Sequence, residues 1–511
     1  MCIQPLKVFF AFLLIHFWLS HYTVAQVTYV VNSVEDHDDL DLADKTCADQ
    51  FGNCTLRAAI QNANKTEERD RIIFKLEGDG PFIFDLKKNL PKIISPLEID
   101  GTSQHGYTVD EVQIILSGKN IKTEIDFNLP SSKNIWANGI QLMEGSSGSS
   151  IKGLCIIDFN GFGIRIRNSN ENSITSNFIG VHPLIHSDKT GNIAGINIDG
   201  RDNTVGGYSP FERNIISGHE GTGINIKRSG NKIIGNLIGT DLKGEVQVGN
   251  RYGIHLESSA GSTLVIDNLI SGNTEDGIRI AFSREVNFIY SNKIGTNYKG
   301  NKALPNKTGI TLWNNLQAHV GSYEKGNLIS GNDIGIHLIP TSNQAELLNQ
   351  LKANYIGVDI TGTLALPNRI GVLIECSGNV VGSVEENGRN LISGNLEAGI
   401  VIRNGSLNIV QGNFIGTDKT GKSAIPNGHG VIFETSKKEL ATTENILRDN
   451  LISGNRYNGV FFREGPKDNM LFKNRIGLTK DGQSSLPNGL TGVLMNSDRS
   501  NCVEGNEGLD N

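Results

Sequence analysis

The sequence predicts an all-β chain wound as a three-sided parallel β-solenoid of about twelve or more coils, behind a short N-terminal capping helix. Three observations predict it. First, a unit recurs along the chain. Residues 390–433 are typical, with the apolar runs Gly399-Ile-Val-Ile402 and Gly430-Val-Ile-Phe433 joined by an Asn-Phe-Ile-Gly step and a loop rich in Gly, Asp and Pro. Second, the Asn opening each step falls at 177, 214, 236, 268, 292, 327, 354, 390, 413, 450 and 474, so coils of 22 to 27 residues alternate with coils of 32 to 37. The short coil suits one turn of a three-sided solenoid, and the surplus of the long coil falls in the loop exemplified by Thr417 to Asn427, so those loops are expected to stack along one side. Third, the 511 residues include 60 Gly, 13 Pro and only 6% aromatics, which fits one repetitive body better than several domains.

Taken in order, residues 1–25 read as a secretory signal: Lys7 is the positive flank, Val8 to Leu19 the apolar run, and Ala25 a small closing residue. About a dozen apolar residues are short for a bilayer span, and no later segment is apolar enough for one. Val27-Thr-Tyr-Val-Val31 is strand-like, and an acidic loop runs from Glu35 to Asp44. In the stretch from Cys54 to Asn64, Leu56, Ala59, Ile60 and Ala63 recur at helical spacing. A helix there would cover the open first coil of a solenoid. Strand-like runs follow at Arg71-Ile-Ile-Phe74, Phe82-Ile-Phe84 and Leu97-Glu-Ile-Asp100, so 26–105 is expected to form the cap and first coils and 106–511 the array. No polar cap is evident after Asn501-Cys-Val-Glu-Gly-Asn506, so a cap is expected from a partner or from further chain.

The net charge of −7 carries no footprint for nucleic acid, and no basic cluster marks a membrane surface. Cys47 and Cys54, seven residues apart around Gly52, are expected to form a local disulfide in an oxidising compartment, with Cys155 and Cys376 buried or free thiols. Asn53, Asn64, Asn306 and Asn404 open glycosylation sequons. The recurrent Asn side chains are expected to hydrogen-bond in register from coil to coil. Asp241, Asp359 and Asp418 suit turns leaving a strand, and stacked carboxylates of this kind leave a calcium site possible, although Asn297 replaces Asp in one copy and Thr479 stands in another.

Cys54-Thr-Leu-Arg-Ala-Ala-Ile60, with Leu97-Glu-Ile-Asp-Gly-Thr-Ser103 and the later Asn-x-Ile-Ser-Gly-Asn and Ile-Gly-Thr-Asp steps, resembles a family of secreted right-handed parallel β-helix proteins opened by a Cys-Ser-Leu-Arg-Glu-Ala motif. The resemblance, which extends to the architecture of the pectate-lyase-like superfamily, covers essentially the whole mature chain. It implies a right-handed coil and an extracellular or cell-surface site, and it carries over no catalytic residue. Thr55 stands for the family's Ser and Ala58 for its Glu.

Each Gly-Ile-x-Ile run is expected to turn x outward. Read in order, x is Arg165, Asn197, Asn225, His255, Arg279, Thr311 and His337, and then Leu373, Val401, Ile432, Phe461 and Leu494. Two residues further on, charges alternate through Arg167, Asp199, Lys227 and Glu257, lapse at Ala281, Trp313 and Ile339, and resume at Glu375, Arg403, Glu434 and Arg463. Such a ladder fixes register, because a slip by one coil stacks like charges. The lapse places Trp313 near Arg279 and His337, with His255 and Glu257 just below, which is the make-up of a sugar-stacking surface with groups to hold a carboxylate. The alternative is that Trp313 is covered by a loop or packs on Ile339.

Catalysis is harder to place. The Gly-His-Gly at 428–430 is similar to that of polygalacturonases, but sister copies read Arg251-Tyr252-Gly253 and Arg369-Ile370-Gly371, so the final Gly belongs to the repeat. Glycoside hydrolysis needs a protonated carboxyl, yet Asp199 and Glu257, and equally Glu375 and Glu434, have Lys227 or Arg403 between them. β-Elimination on a uronate fits better, with His255 or His337 as base and Arg279 as stabiliser. Three readings follow: a secreted or surface protein binding polysaccharide through the Trp313 face; a polysaccharide lyase or epimerase acting on a uronate glycan; and a structural or adhesive matrix protein whose apolar stripe from Leu373 to Leu494 meets a partner or a second copy. No metal cluster is evident, and calcium is the one cofactor left possible.

Overall fold

The computed structural model describes residues 26–121, 136–182, 190–315, 317–340, 348–436, 440–496 and 500–508. The expected signal segment at 1–25 lies outside the described residues. The chain is a right-handed parallel β-helix. Its three sheets hold 16, 14 and 13 strands, here called sheets 1, 2 and 3, and every strand pair in them is parallel. Strands of the same sheet in successive coils are hydrogen-bonded neighbours, so the order in each sheet follows the chain.

Alternation along each strand makes the core. In the strand Ala398–Arg403, Ile400 and Ile402 point inward and are buried. Inward aliphatics of all three sheets join one cluster running from Tyr29 to Ile476. From Phe178–Ile179 onward the sheet 2 strands are only two residues long, so Ile392 and Ile415 fill the core while Leu391 and Phe414 face out. That outer row is buried too, because the surplus loops fold back over it.

Those loops follow Thr240, Thr296, Val358, Thr417 and Leu478, and each closes on an antiparallel bridge. They stack as expected: the amides of Tyr298, Ile360, Lys419 and Lys480 donate to the carbonyls of Gly244, Gly300, Gly362 and Gly421 at 2.8–3.1 Å. Gly421, with φ +70, shows why the loop needs glycine, since a Cβ there would lie 2.9 Å from Leu451 and 3.0 Å from Phe414. Within the loops, Asp241, Asp359 and Asp418 each accept two backbone amides four and five residues on. Asn297 accepts the equivalent pair without a charge, so turn closure rather than cation binding explains this position.

The corners are held by asparagine. From Asn177 to Asn474 each anchor amide donates to the Oδ1 of the next anchor at 2.9–3.1 Å, ending on Asn506. A second ladder runs from Asn192 through His219 and Asn250 to Asn488, and a third includes Asn172, Asn203 and Asn231. Asn306 and Asn404 open sequons, but the fold buries both, so neither is an accessible glycosylation site. Asn306 is buried in the second ladder, and Asn404 is buried with its amide donating to Ser436 at 2.8 Å. Asn53 and Asn64 are half-buried.

The helix Leu56–Ala63 packs on the strands Thr28–Val31 and Asp70–Phe74. Thr55 caps it, accepting from the Ala58 amide at 3.0 Å while donating to the His37 carbonyl at 2.7 Å. Cys47 and Cys54 are disulfide-bonded beside it, and Cys155 and Cys376 are buried free thiols. Among the described residues no helix is long and apolar enough to cross a membrane.

Candidate functional site

Sheet 3 presents the two outward rows in the register the repeat predicts. His255 pairs with Arg279, Arg279 with Thr311, Thr311 with His337, and His337 with Leu373. Ala281 pairs with Trp313, and Trp313 with Ile339. Where the small Ala281 interrupts the charged row, the surface opens into a groove of about 330 Å³ lined by Tyr252, His255, Glu257, Ser258, Arg279, Ala281, Phe282 and Trp313.

Arg279 is pinned between rings. Its guanidinium carbon lies 4.7 Å from the Trp313 ring centre and 5.4 Å from that of Tyr252, and Nη1 lies 3.4 Å from the Tyr252 hydroxyl. Stacking of this kind fixes the plane of the guanidinium while leaving edge N–H groups for a ligand. Asp276 approaches to 3.6 Å. Burial raises the Asp276 carboxyl above the usual range, against the Thr311 hydrogen bond and Arg279, which lower it. Phe282 leans on Trp313 with ring centres 4.9 Å apart and is 40% exposed.

His255 lines the groove with its ring 6.3 Å from that of Tyr252, and its Nε2 is buried without a hydrogen-bond partner. Burial pushes its pKa down, opposed by Glu257, so the neutral imidazole is favoured. Glu257 accepts from Asn225 at 2.9 Å and faces Lys227 at 3.5 Å.

His337 does not join the groove. Its Nε2 meets Glu375 at 2.8 Å, and from there an unbroken chain runs through Arg403 (3.3 Å), Glu434 (2.6 Å) and Arg463 (2.5 Å). The hydrogen bond from His337, with Arg403 behind it, holds Glu375 below the ordinary carboxylate range. This half of the charged row forms as the alternation predicts. Lower down the pairing differs, because Asp199 turns to Arg228 at 2.8 Å rather than to Arg167 or Lys227.

The apolar stripe expected from Leu373 to Leu494 is covered over its first three rungs. Leu373, Val401 and Ile432 are 3%, 1% and 0% exposed and pack together with Ile370 and Ala398, so this stretch is not an open patch for a partner or a second copy. His429 of the Gly-His-Gly stacks on Phe461 at 5.3 Å and contacts Tyr457 at 5.2 Å, which is a packing role.

Tyr252, Ser258 and Phe282 line the groove and Asp276 approaches Arg279 beside it, and none of the four stands out in the sequence. Tyr252 and Asp276 lie three positions before the middle row, where strict alternation would turn them inward. Phe282 lies at the corner beyond the strand Asp276–Ala281. A slot-by-slot comparison of coils would have shown it, because Asn168, Asn314 and Asn404 follow the outward row in sister coils.

Several known proteins are similar to parts of this chain. The family described as "Periplasmic copper-binding protein (NosD)" matches residues 246–368, a segment that contains the groove and covers less than half of the chain. No curated protein matches the chain. Among solved structures, the A-module of the Azotobacter vinelandii mannuronan C-5 epimerase AlgE4 is 13% identical, with 88% of this chain and 96% of that one covered and a TM-score of 0.40. The Dettilon tailspike is 13% identical over 87% of this chain and 66% of its own, with a TM-score of 0.40. A mannuronic acid specific polysaccharide family 6 lyase from human gut microbiota is 10% identical over 93% and 83%, with a TM-score of 0.37. Scores and identities this low transfer no activity. Among the described residues no group of three or more His, Cys, Asp or Glu is placed to hold a metal ion.

Proposed function

We propose that this is an exported β-helix protein that binds polysaccharide, preferring chains with uronate units, in the groove on sheet 3. The observation that carries the reading is the Arg279 guanidinium fixed between Trp313 and Tyr252 at the floor of an open groove with an aromatic rim. The rings offer the apolar faces on which sugars stack, and the cation offers donors for a carboxylate. Export is supported by the signal-like first 25 residues and by the disulfide between Cys47 and Cys54. Trp313→Ala and Arg279→Ala are each expected to weaken binding of oligouronates by about tenfold or more. Added salt should weaken the wild type more than Arg279→Ala. Calorimetric titration checks both, and unchanged affinity in the double variant rules the groove out.

A second reading, that of a polysaccharide lyase or epimerase, rests on His255, a groove residue beside Arg279 whose pKa burial lowers. In that reading the neutral imidazole of His255 takes the proton α to a uronate carboxylate whose charge Arg279 stabilises. Elimination then forms the C=C bond as the glycosidic C–O bond breaks, and solvent protonates the leaving oxygen. Ultraviolet absorbance from unsaturated ends, lost in His255→Ala, would establish it. With His337 tied to Glu375, it is not the base in this reading.

A further inference from the structure

We infer that Phe282 is a ligand-contacting residue, the rim on which the apolar face of a pyranose ring rests. The inference builds on the polysaccharide reading above and names one of its contacts. Phe282 has φ +59, in the left-handed region, where a residue with a Cβ is strained and Asn is tolerated better because its short polar side chain bonds locally. The repeat respects that preference elsewhere. At the same corner Asn168, Asn314 and Asn404 have φ 51, 46 and 56. Their amides donate to the carbonyls of Asp199, Ile339 and Glu434, and the Phe282 amide donates in the same way to Trp313 at 2.9 Å. Among the described residues with positive φ, Phe282 is the one aromatic.

Burial does not account for it. Phe282 is 40% exposed and, apart from its tilted contact with Trp313, faces the groove. One face of Trp313 is taken by Arg279, whereas the ring of Phe282 is 40% exposed at the rim and adds a second apolar surface beside it. A strained backbone that holds a bulky ring at the edge of a cavity is the arrangement expected when the ring serves a ligand rather than the fold.

The prediction has opposite signs for stability and binding. Phe282→Asn and Phe282→Gly both suit the corner, and each is expected to raise Tm by about 1–3 °C. Each should also weaken binding of mannuronate, galacturonate or glucose hexasaccharides, whichever the wild type binds, by about tenfold. Leu407 gives the control: it has φ 58 and is 43% exposed at another corner, away from the groove, so Leu407→Asn should raise Tm with affinity unchanged. Unaltered affinity in both Phe282 variants, with binding lost in Trp313→Ala, overturns the inference and leaves the groove standing. A fall in Tm would make Phe282 a packing residue and overturn it equally. If the wild type binds none of the three probes, the polysaccharide reading fails and this contact with it.

Discussion

His219 occupies a rung of the second ladder where every later rung from Asn250 to Asn488 carries asparagine. Its Nδ1 accepts from the Asn192 amide at 3.1 Å, while Nε2 is buried without a partner. Burial lowers its pKa from 6.5 to about 4, so the native ring is neutral. Because the folded value is the lower one, the stabilisation is complete above the unfolded pKa. It is lost as pH falls from about 6.5 towards about 4, where the unfolded chain takes a proton that the native ring refuses. The loss at pH 4.5 is on the order of 2–3 kcal/mol. His219→Asn restores the ladder residue and removes the titration. The variant should therefore gain stability over the wild type on going from pH 7 to pH 4.5, read from paired denaturation curves. A difference that does not change with pH would show that His219 does not titrate in this way.

At the scale of one coil, the asparagine rungs exchange both amide hydrogens and carbonyl lone pairs with their neighbours. Asn390 donates to the Leu351 carbonyl at 2.8 Å and to Asn413 at 2.9 Å, while its Oδ1 accepts the amide and the side chain of Asn354. Asn390→Ala would orphan buried groups on both sides and is expected to cost about 2–4 kcal/mol in urea unfolding. Asn390→Asp keeps the acceptor but loses both donors and buries a charge facing Asn413 Oδ1, so it should cost at least as much as alanine. Asp outperforming Ala would mean that acceptance alone supports the corner. This ladder was legible because its asparagines open a recurring apolar step. The second ladder escaped because its asparagines sit in two alternating contexts, Ser-Gly-Asn at 273, 332, 395 and 455 and Pro-Asn at 306, 368, 427 and 488. The groove was legible in part for a related reason: Trp313, Arg279, His255 and Glu257 depart from the repeat, and departures show in one dimension. Whether an outward residue is covered does not show. Leu373 and Val401 are outward by register and buried by their neighbours, and Leu391 and Phe414 are roofed by loops from their own and adjoining coils. His337 was drawn towards Trp313 by rung order, whereas its partner proved to be Glu375, one rung on in the next row.

Across the whole molecule each coil meets only its neighbours, so damage to one end should remain at that end. The N-terminal end is locked by Arg57, which reaches Asp36 with Nε at 2.7 Å and Nη2 at 2.6 Å. Its remaining donors close on the carbonyls of Asn89 at 2.8 Å and Lys88 at 2.9 Å, and Asp36 accepts the Lys87 amide at 2.8 Å. Both side chains are buried, so the arginine ties the helix Leu56–Ala63 to the loop before it and to the first coils. Arg57→Ala leaves a buried carboxylate without its cation and two carbonyls without donors, a local cost of about 3–5 kcal/mol. In a globular domain such a loss lowers protection everywhere. Here it should open only the cap, speeding amide exchange in Thr28–Val31, Asp70–Phe74 and Leu97–Asp100 while Ala398–Arg403 keeps its wild-type rates. Oligouronate binding, some six coils up at Arg279 and Trp313, should then be unaffected. Uniform acceleration along the chain would show that the coils unfold as one cooperative body, and unchanged exchange in the first strands would show that Arg57 does not hold the cap closed.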